Sequence, residues 1–126
     1  MLARHPVRRV LMVVEVKTEI TSSEELLRRH DAKVRLGPKI ARDRFGWAST
    51  STARLLVLGG SQANRNRLAR LRGVLRSAYP TEPRATRRWL ADPQDSLVGG
   101  VLFIAPVRSA RTTSRGRVAA ARVSSV

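Results

Sequence analysis

The order strand, helix, strand, helix, helix, strand predicts a single α/β domain of about three strands with flanking helices. Three observations carry that prediction. Runs rich in Val and Leu recur at residues 7–18, 53–58 and 98–105, the composition of strands buried in a sheet. The stretches between them carry helix caps and a 3.6-residue apolar period. With 126 residues, 42% of them hydrophobic, the chain is long enough to bury about two-thirds of its unfolded surface in one core. Aromatic residues make up only 4%, so that core is built from Val, Leu, Ile and Ala.

The first strand, residues 7–18, ends at Glu15-Val16-Lys17-Thr18. Thr21 with Glu24 and Ser22 with Glu25 then form two overlapping capping boxes, which predict a helix start. At about 100° per residue, Leu27, His30, Val34, Ala41 and Phe45 share one face of that helix. Gly37-Pro38 interrupts it, because proline lacks an amide donor and crowds the preceding turn. The phase continues beyond, so the expectation is a kinked helix or two helices end to end. Residues 48–52 read as a small-residue loop before the second strand, residues 53–58, which runs into Gly59-Gly60. Ser61 is a natural cap for a helix over 62–78, with Leu68, Leu71, Leu75 and Ala78 as its core stripe. Arg65, Arg72 and Arg76 form a row on the flank of that helix. A shorter helix over 84–90 precedes a turn at Asp92-Pro93-Gln94-Asp95, and the last strand is 98–105, weakened at its start by Gly99-Gly100. The domain is expected over residues 1–106. Residues 107–126 scatter Arg108, Arg111, Arg115, Arg117 and Arg122 among small and polar residues without an acid, and read as a disordered basic tail.

Charge and composition exclude several chemistries. The 25 basic residues against nine acidic ones give a formal charge of +16, and only Lys17, Lys33 and Lys39 of the basic set are lysines. That excess favours a polyanionic partner, although an arginine bias also arises from a GC-rich genome. The absence of cysteine removes disulfides, thiolate zinc sites and thiol nucleophiles together. Two histidines, His5 and His30, are too few for a multi-histidine metal site, and neither sits in a recognisable hydrolase context. The apolar run 10–14 is far shorter than a membrane span and ends at Glu15. No small-residue cleavage pattern follows it, so the expectation is a cytoplasmic protein without a membrane partner.

The segment with most chemical content is Glu15-Val16-Lys17. Strand side chains alternate, so Glu15 and Lys17 project to one face and Val16 to the other. A carboxylate so placed can hold a hard divalent cation, and a lysine one pleat away can stabilise charge on a phosphate being cleaved. The same spacing also describes an ion pair at a strand end. Elsewhere, Gly59-Gly60-Ser61 between strand and helix reads as a tight connection, since it lacks both a G-x-G-x-x-G pattern and a Walker lysine. Trp47 and Trp89 read as core anchors, and His30 as a histidine packed on the apolar helix face.

Glu15-Val16-Lys17 is the E-x-K half of the PD-(D/E)xK signature of metal-dependent nucleases. The segment from Leu11 to Thr18, followed by Asp31-Ala32-Lys33-Val34-Arg35-Leu36-Gly37-Pro38, then Arg44-Phe45-Gly46-Trp47, Leu55-Leu56-Val57-Leu58, Asn64-Arg65-Asn66-Arg67 and Arg87-Arg88-Trp89-Leu90, resembles actinobacterial proteins in which a restriction-endonuclease-like domain is joined to a helix-turn-helix regulator. The resemblance covers about residues 7–105. It implies a partial three-layer restriction-endonuclease-like fold, DNA as partner, Glu15 and Lys17 as remnants of a catalytic pair, Glu15 as ligand to Mg2+, and Arg65, Arg72 and Arg76 as nucleic-acid contacts. The sequence departs from the family where a second carboxylate belongs, because residues 1–14 contain no Asp or Glu. Glu19 and Asp31 are the candidate substitutes. The expectation is therefore a domain truncated at its N-terminus, with an incomplete metal site and no nuclease activity. The alternative is a small basic RNA- or ribosome-associated protein that binds through its arginines.

Overall fold

The computed structural model describes residues 1–5, 7–93, 99–105 and 122–124. It is an α/β fold whose elements run β1 (Leu2–His5), β2 (Val10–Lys17), α1 (Ser23–Phe45), β3 (Ser51–Gly59), α2 (Gln62–Arg70), α3 (Arg72–Leu75), α4 (Pro83–Ala91), β4 (Gly100–Ile104) and β5 (Arg122–Ser124). The strands form one sheet in the order β4-β3-β2-β1-β5. Strands β2, β3 and β4 are parallel, whereas β1 pairs antiparallel with β2 on one side and β5 on the other. Among the described residues, no helix is long and apolar enough to cross a membrane.

Two strands go beyond the three that periodicity predicts. The expected first strand, 7–18, is the shorter β2, and β1 pairs with it on the side away from β3. Arg9 turns the chain between them with φ of 58°, and its amide donates to the His5 carbonyl at 2.8 Å. Leu-Ala-Arg-His is too short to show a period, so β1 leaves no trace in the hydropathy pattern. Within the stretch expected as a disordered tail, residues 122–124 instead pair with β1 through Leu2, Ala3 and Arg4. The rest of that tail, like Gln94 and Asp95 of the expected turn, lies outside the described residues.

Alternation along β2 sorts the core into layers. Leu11 and Val13 face α1 and join Leu2, Ala41 and Trp47. Val10, Met12 and Val14 face the opposite way and join Ala3, Ala53 and Leu55, with Trp89 and Leu90 of α4 packed over them. A third cluster fills the space between the sheet, the start of α1 and the α2–α3 segment, with Leu56, Leu58, Leu75, Tyr79, Val101 and Phe103. Helices α1, α2 and α3 thus cover one face of the sheet and α4 the other.

Helix α1 begins as its caps require: Ser22 is extended and its Oγ accepts from the Glu25 amide at 3.2 Å. It then runs through Gly37-Pro38 as one element, so of the two expected alternatives it is one helix and not two end to end. Gly37 supplies the reason. A Cβ there would stand 3.1 Å from Val13 Cγ2, so the missing side chain lets the helix lie close on β2, and that packing outweighs the amide lost at Pro38. The buried stripe is Leu26, His30, Gly37 and Ala41, while Leu27, Val34 and Phe45 sit at its margin. The expected 62–78 helix is divided at Leu71, which has φ −91° and ψ 4°. Gly73, a poor helix former, lies in the next turn. Helix α4 starts on Pro83 at a position where the missing amide costs nothing.

The chain from α3 to α4 passes under the outer edge of β4. Thr81 bridges Gly100 there, its amide donating to the Gly99 carbonyl at 3.0 Å and its carbonyl accepting from Val101 at 3.2 Å. A Cβ on Gly99 would stand 1.8 Å from the Ala78 carbonyl oxygen. Gly99→Ala is therefore expected to separate this crossing and lower stability by about 3 kcal/mol or more, the upper range for one substitution. Urea unfolding with a midpoint near that of the unsubstituted chain would contradict it.

Candidate functional site

The end of β2 carries the pair that sequence singles out. Parallel pairing with β3 sets Glu15 opposite Leu56 and Lys17 opposite Leu58. Glu15 and Lys17 share the face under α1, their charged groups 3.9 Å apart, while Val16 points to the other face and is 48% exposed. Glu15 itself is 6% exposed. A buried carboxylate needs a partner, and α1 provides one that sequence reading passed over: Lys33 Nζ donates to Glu15 Oε1 at 2.8 Å. Burial by itself pushes the Glu15 carboxyl up. The hydrogen bond and charge of Lys33, with smaller contributions from His30 and Lys17, outweigh that and hold it below its ordinary value.

This donor set does not fit a divalent cation. One Glu15 oxygen is engaged by Lys33 and the other faces the Lys17 ammonium, so two positive groups stand where a metal would approach. The two candidate substitutes lie elsewhere. Asp31 is drawn away by Arg54, whose Nη1 donates to its Oδ1 at 2.5 Å. Glu19 is exposed in the bend after β2. Nor does β1 help, since its residues Leu2 to His5 include no acid. Among the described residues, no three His, Asp or Glu side chains gather as metal ligands. The geometry of the Glu15–Lys17 pair is that of a strand-end ion pair, closed by a second lysine.

Beneath this cluster lies a polar contact that periodicity could not show. His30 is fully buried. Its Nε2 is 2.8 Å from the Val13 carbonyl oxygen, and its Nδ1 is 2.5 Å from the Tyr79 hydroxyl. A carbonyl can only accept, so Nε2 carries the proton and the Tyr79 hydroxyl donates to Nδ1. Both ring nitrogens are satisfied in the neutral form. Burial lowers the His30 pKa from its ordinary value, although the Val13 bond acts in the opposite direction. Burial likewise raises that of Tyr79.

The glycine turn after β3 is a tight connection. The Gly60 amide donates to the Ile104 carbonyl at 2.7 Å, and Asn64, buried on α2, donates through Nδ2 to the carbonyls of Thr18 and Gly59 at 2.6 and 2.9 Å. Ser61 caps α2 by accepting from the Asn64 amide. Asn64 thereby ties the ends of β2 and β3 together.

The predicted arginine row is split by the break at Leu71. Arg65 lies with its guanidinium carbon 4.3 Å from the centroid of the Phe103 ring. Arg72 is paired with Glu82 at the start of α4. Arg76 lines the shallow groove beside Arg72, Tyr79 and Pro83. A different set is aligned instead. On α4, Arg84, Arg87 and Arg88 are exposed and fall within an arc of about 100° opposite Thr86, Trp89 and Leu90. Their i, i+3, i+4 spacing was visible in the sequence.

Two outcomes follow from the buried charges. Lys33→Met strands the Glu15 carboxylate and is expected to cost about 1–3 kcal/mol, whereas Glu15→Leu combined with Lys33→Met recovers much of that loss. Equal unfolding midpoints for the single variant and the unsubstituted chain would show that Lys17 alone satisfies Glu15. His30 gives a pH signature. Because its folded pKa is depressed, the unfolded chain takes up the proton first, so stability is full above 6.5 and declines as pH falls through the lower folded value. His30→Leu should be less stable at neutral pH and lack that decline. An unchanged pH profile in this variant would refute the assignment.

No family model, no curated protein and no solved structure matches this chain, so its function is to be read from the residues above.

Proposed function

We propose that this chain is a DNA-associated domain, of the nuclease-like kind joined to bacterial helix-turn-helix regulators, which holds duplex DNA through arginine–phosphate contacts and does not cut it. The observation that carries this reading is the imbalance of charge. Nine carboxylates face 25 cationic side chains, and the buried carboxylate, Glu15, is already held by two lysines. Among the described residues, several arginines stand on solvent-facing helix surfaces. Arg28 and Arg35 of α1, Arg70 of α2, and Arg84 and Arg88 of α4 are all exposed.

Cleavage needs a metal-bound water aimed at phosphorus, and the metal must first be held by anionic ligands. The strand end offers one carboxylate and two ammonium groups. Glu15 serves here to anchor α1 on β2 through Lys33, and Lys17 presents positive charge at the rim. Binding without hydrolysis is the chemistry that such a set can perform.

Purified protein is expected to bind a labelled duplex without sequence preference, with a Kd of about 10⁻⁴–10⁻⁶ M at physiological salt that weakens steeply as salt rises. Plasmid incubated with the protein and magnesium or manganese should stay intact. Metal-dependent nicking abolished by Glu15→Ala would overturn the non-catalytic part of this reading. A clear preference for structured RNA over duplex DNA would support the RNA- or ribosome-associated alternative.

A further inference from the structure

We infer that the phosphate-contacting surface is the outer face of α4, where Arg84, Arg87 and Arg88 adjoin Arg65 of α2 across the edge strand β4, and that its ligand is the backbone of duplex DNA. The inference rests on the DNA-binding reading proposed above, and replaces the Arg65–Arg72–Arg76 row as its site.

The juxtaposition comes from Phe103. Helix α4 lies on one face of the sheet and α2 on the other, yet both send an arginine to this residue. Arg87 Nη2 donates to the Phe103 carbonyl at 2.9 Å, reaching round the open edge of β4. Arg65 lies over the Phe103 ring from the opposite side. Two guanidinium groups from separate helices thus contact one residue of β4, Arg87 at its carbonyl and Arg65 at its ring, and Arg84 and Arg88 continue the cationic row along α4. Arg87 is fixed by its hydrogen bond and Arg65 by its ring contact, so part of the ordering cost of binding is already met. Guanidinium groups suit phosphate because their planar donors match its oxygens in pairs.

Among the described residues, the acids that flank α4 are paired with arginines outside this face, Asp92 with Arg8 among them. Helix α4 has no acid in its first turn, and Glu82 before it is taken by Arg72. Like charges three and four residues apart repel one another on a helix, and a polyanion laid along the face relieves that repulsion. Aromatic placement then selects the class of ligand. Single-stranded nucleic acids are held by stacking bases on exposed rings. Here Trp47, Tyr79 and Phe103 are buried, and Trp89 packs into the core beneath α4. A surface rich in guanidinium and poor in open rings reads phosphates, as duplex binding requires.

The test compares two charge-matched double variants of the full chain. Arg84→Gln with Arg88→Gln removes two cations from the α4 face without touching the Phe103 contact. Arg28→Gln with Arg35→Gln removes two exposed cations from α1. Fluorescence anisotropy with a labelled duplex across a salt series reads both affinity and the slope of log K against log salt. The α4 double variant is expected to lose about 1.8 from the magnitude of that slope, about 0.9 for each phosphate contact, and the α1 variant much less. Arg65→Gln should lower it by a further ~0.9. Equal losses for the two double variants would overturn the α4 assignment while leaving DNA binding intact. No duplex binding by the unsubstituted chain would overturn both. Tighter, α4-dependent binding of structured RNA would overturn the choice of ligand.

Discussion

The fold depends on how one histidine is satisfied. His30 is fully enclosed between α1, β2 and the chain leaving α3, and both of its ring nitrogens are used. An imidazole buried without partners would cost more than its packing returns. With Val13 and Tyr79 in place, it becomes a rigid tie between three segments far apart in sequence. The tie also fixes the rotation of α1. Gly37 then falls over Val13, where its lack of a side chain lets helix and strand approach, and Lys33 falls over Glu15. One polar contact in the core thereby decides which charged groups meet at the end of β2.

The pairing of Glu15 with Lys33 and Lys17 illustrates how burial selects between two meanings of one motif. On an open strand end, the same glutamate and lysine would offer an anionic ligand and a phosphate-binding cation. Enclosed by α1, the carboxylate requires charge compensation from the protein itself, and two ammonium groups supply it. The lysine that dominates this compensation comes from a helix 18 positions away. The tripeptide is thus a poor guide to chemistry until its neighbours are known, because what separates a ligand from a structural anchor is the remaining occupancy of the carboxylate oxygens.

The strand edges are handled in different ways. At one margin, β1 receives β5. At the other, β4 is closed at its start by Thr81 and further along by the side chain of Arg87. Exposed backbone groups on an edge strand invite pairing with another chain. A guanidinium donating to the Phe103 carbonyl blocks that and leaves a positive charge in its place. Edge protection and the arginine-rich surface of α4 therefore share a residue.

The sequence by itself determined the class of fold, the start of α1 at one of two overlapping caps, Thr21 or Ser22, the start of α2 at Ser61, and the common face of Glu15 and Lys17. Each is a local property, set by capping chemistry, by alternation or by an apolar period within a few residues. It also determined the cationic excess, which is a matter of counting. Tertiary structure decided the rest. Helix α1 continues through Pro38 because Gly37 packs on β2, which no helix propensity contains. The 62–78 helix is divided at Leu71, and its expected arginine row divides with it. Strand β1 exists because β2 and β5 flank it, since four residues carry too little pattern of their own. The partners of Glu15, His30 and Arg65 come from 18, 49 and 38 positions away (Lys33, Tyr79 and Phe103). Such contacts are set by how helices lie across a sheet, and periodicity within a single element holds no information about them.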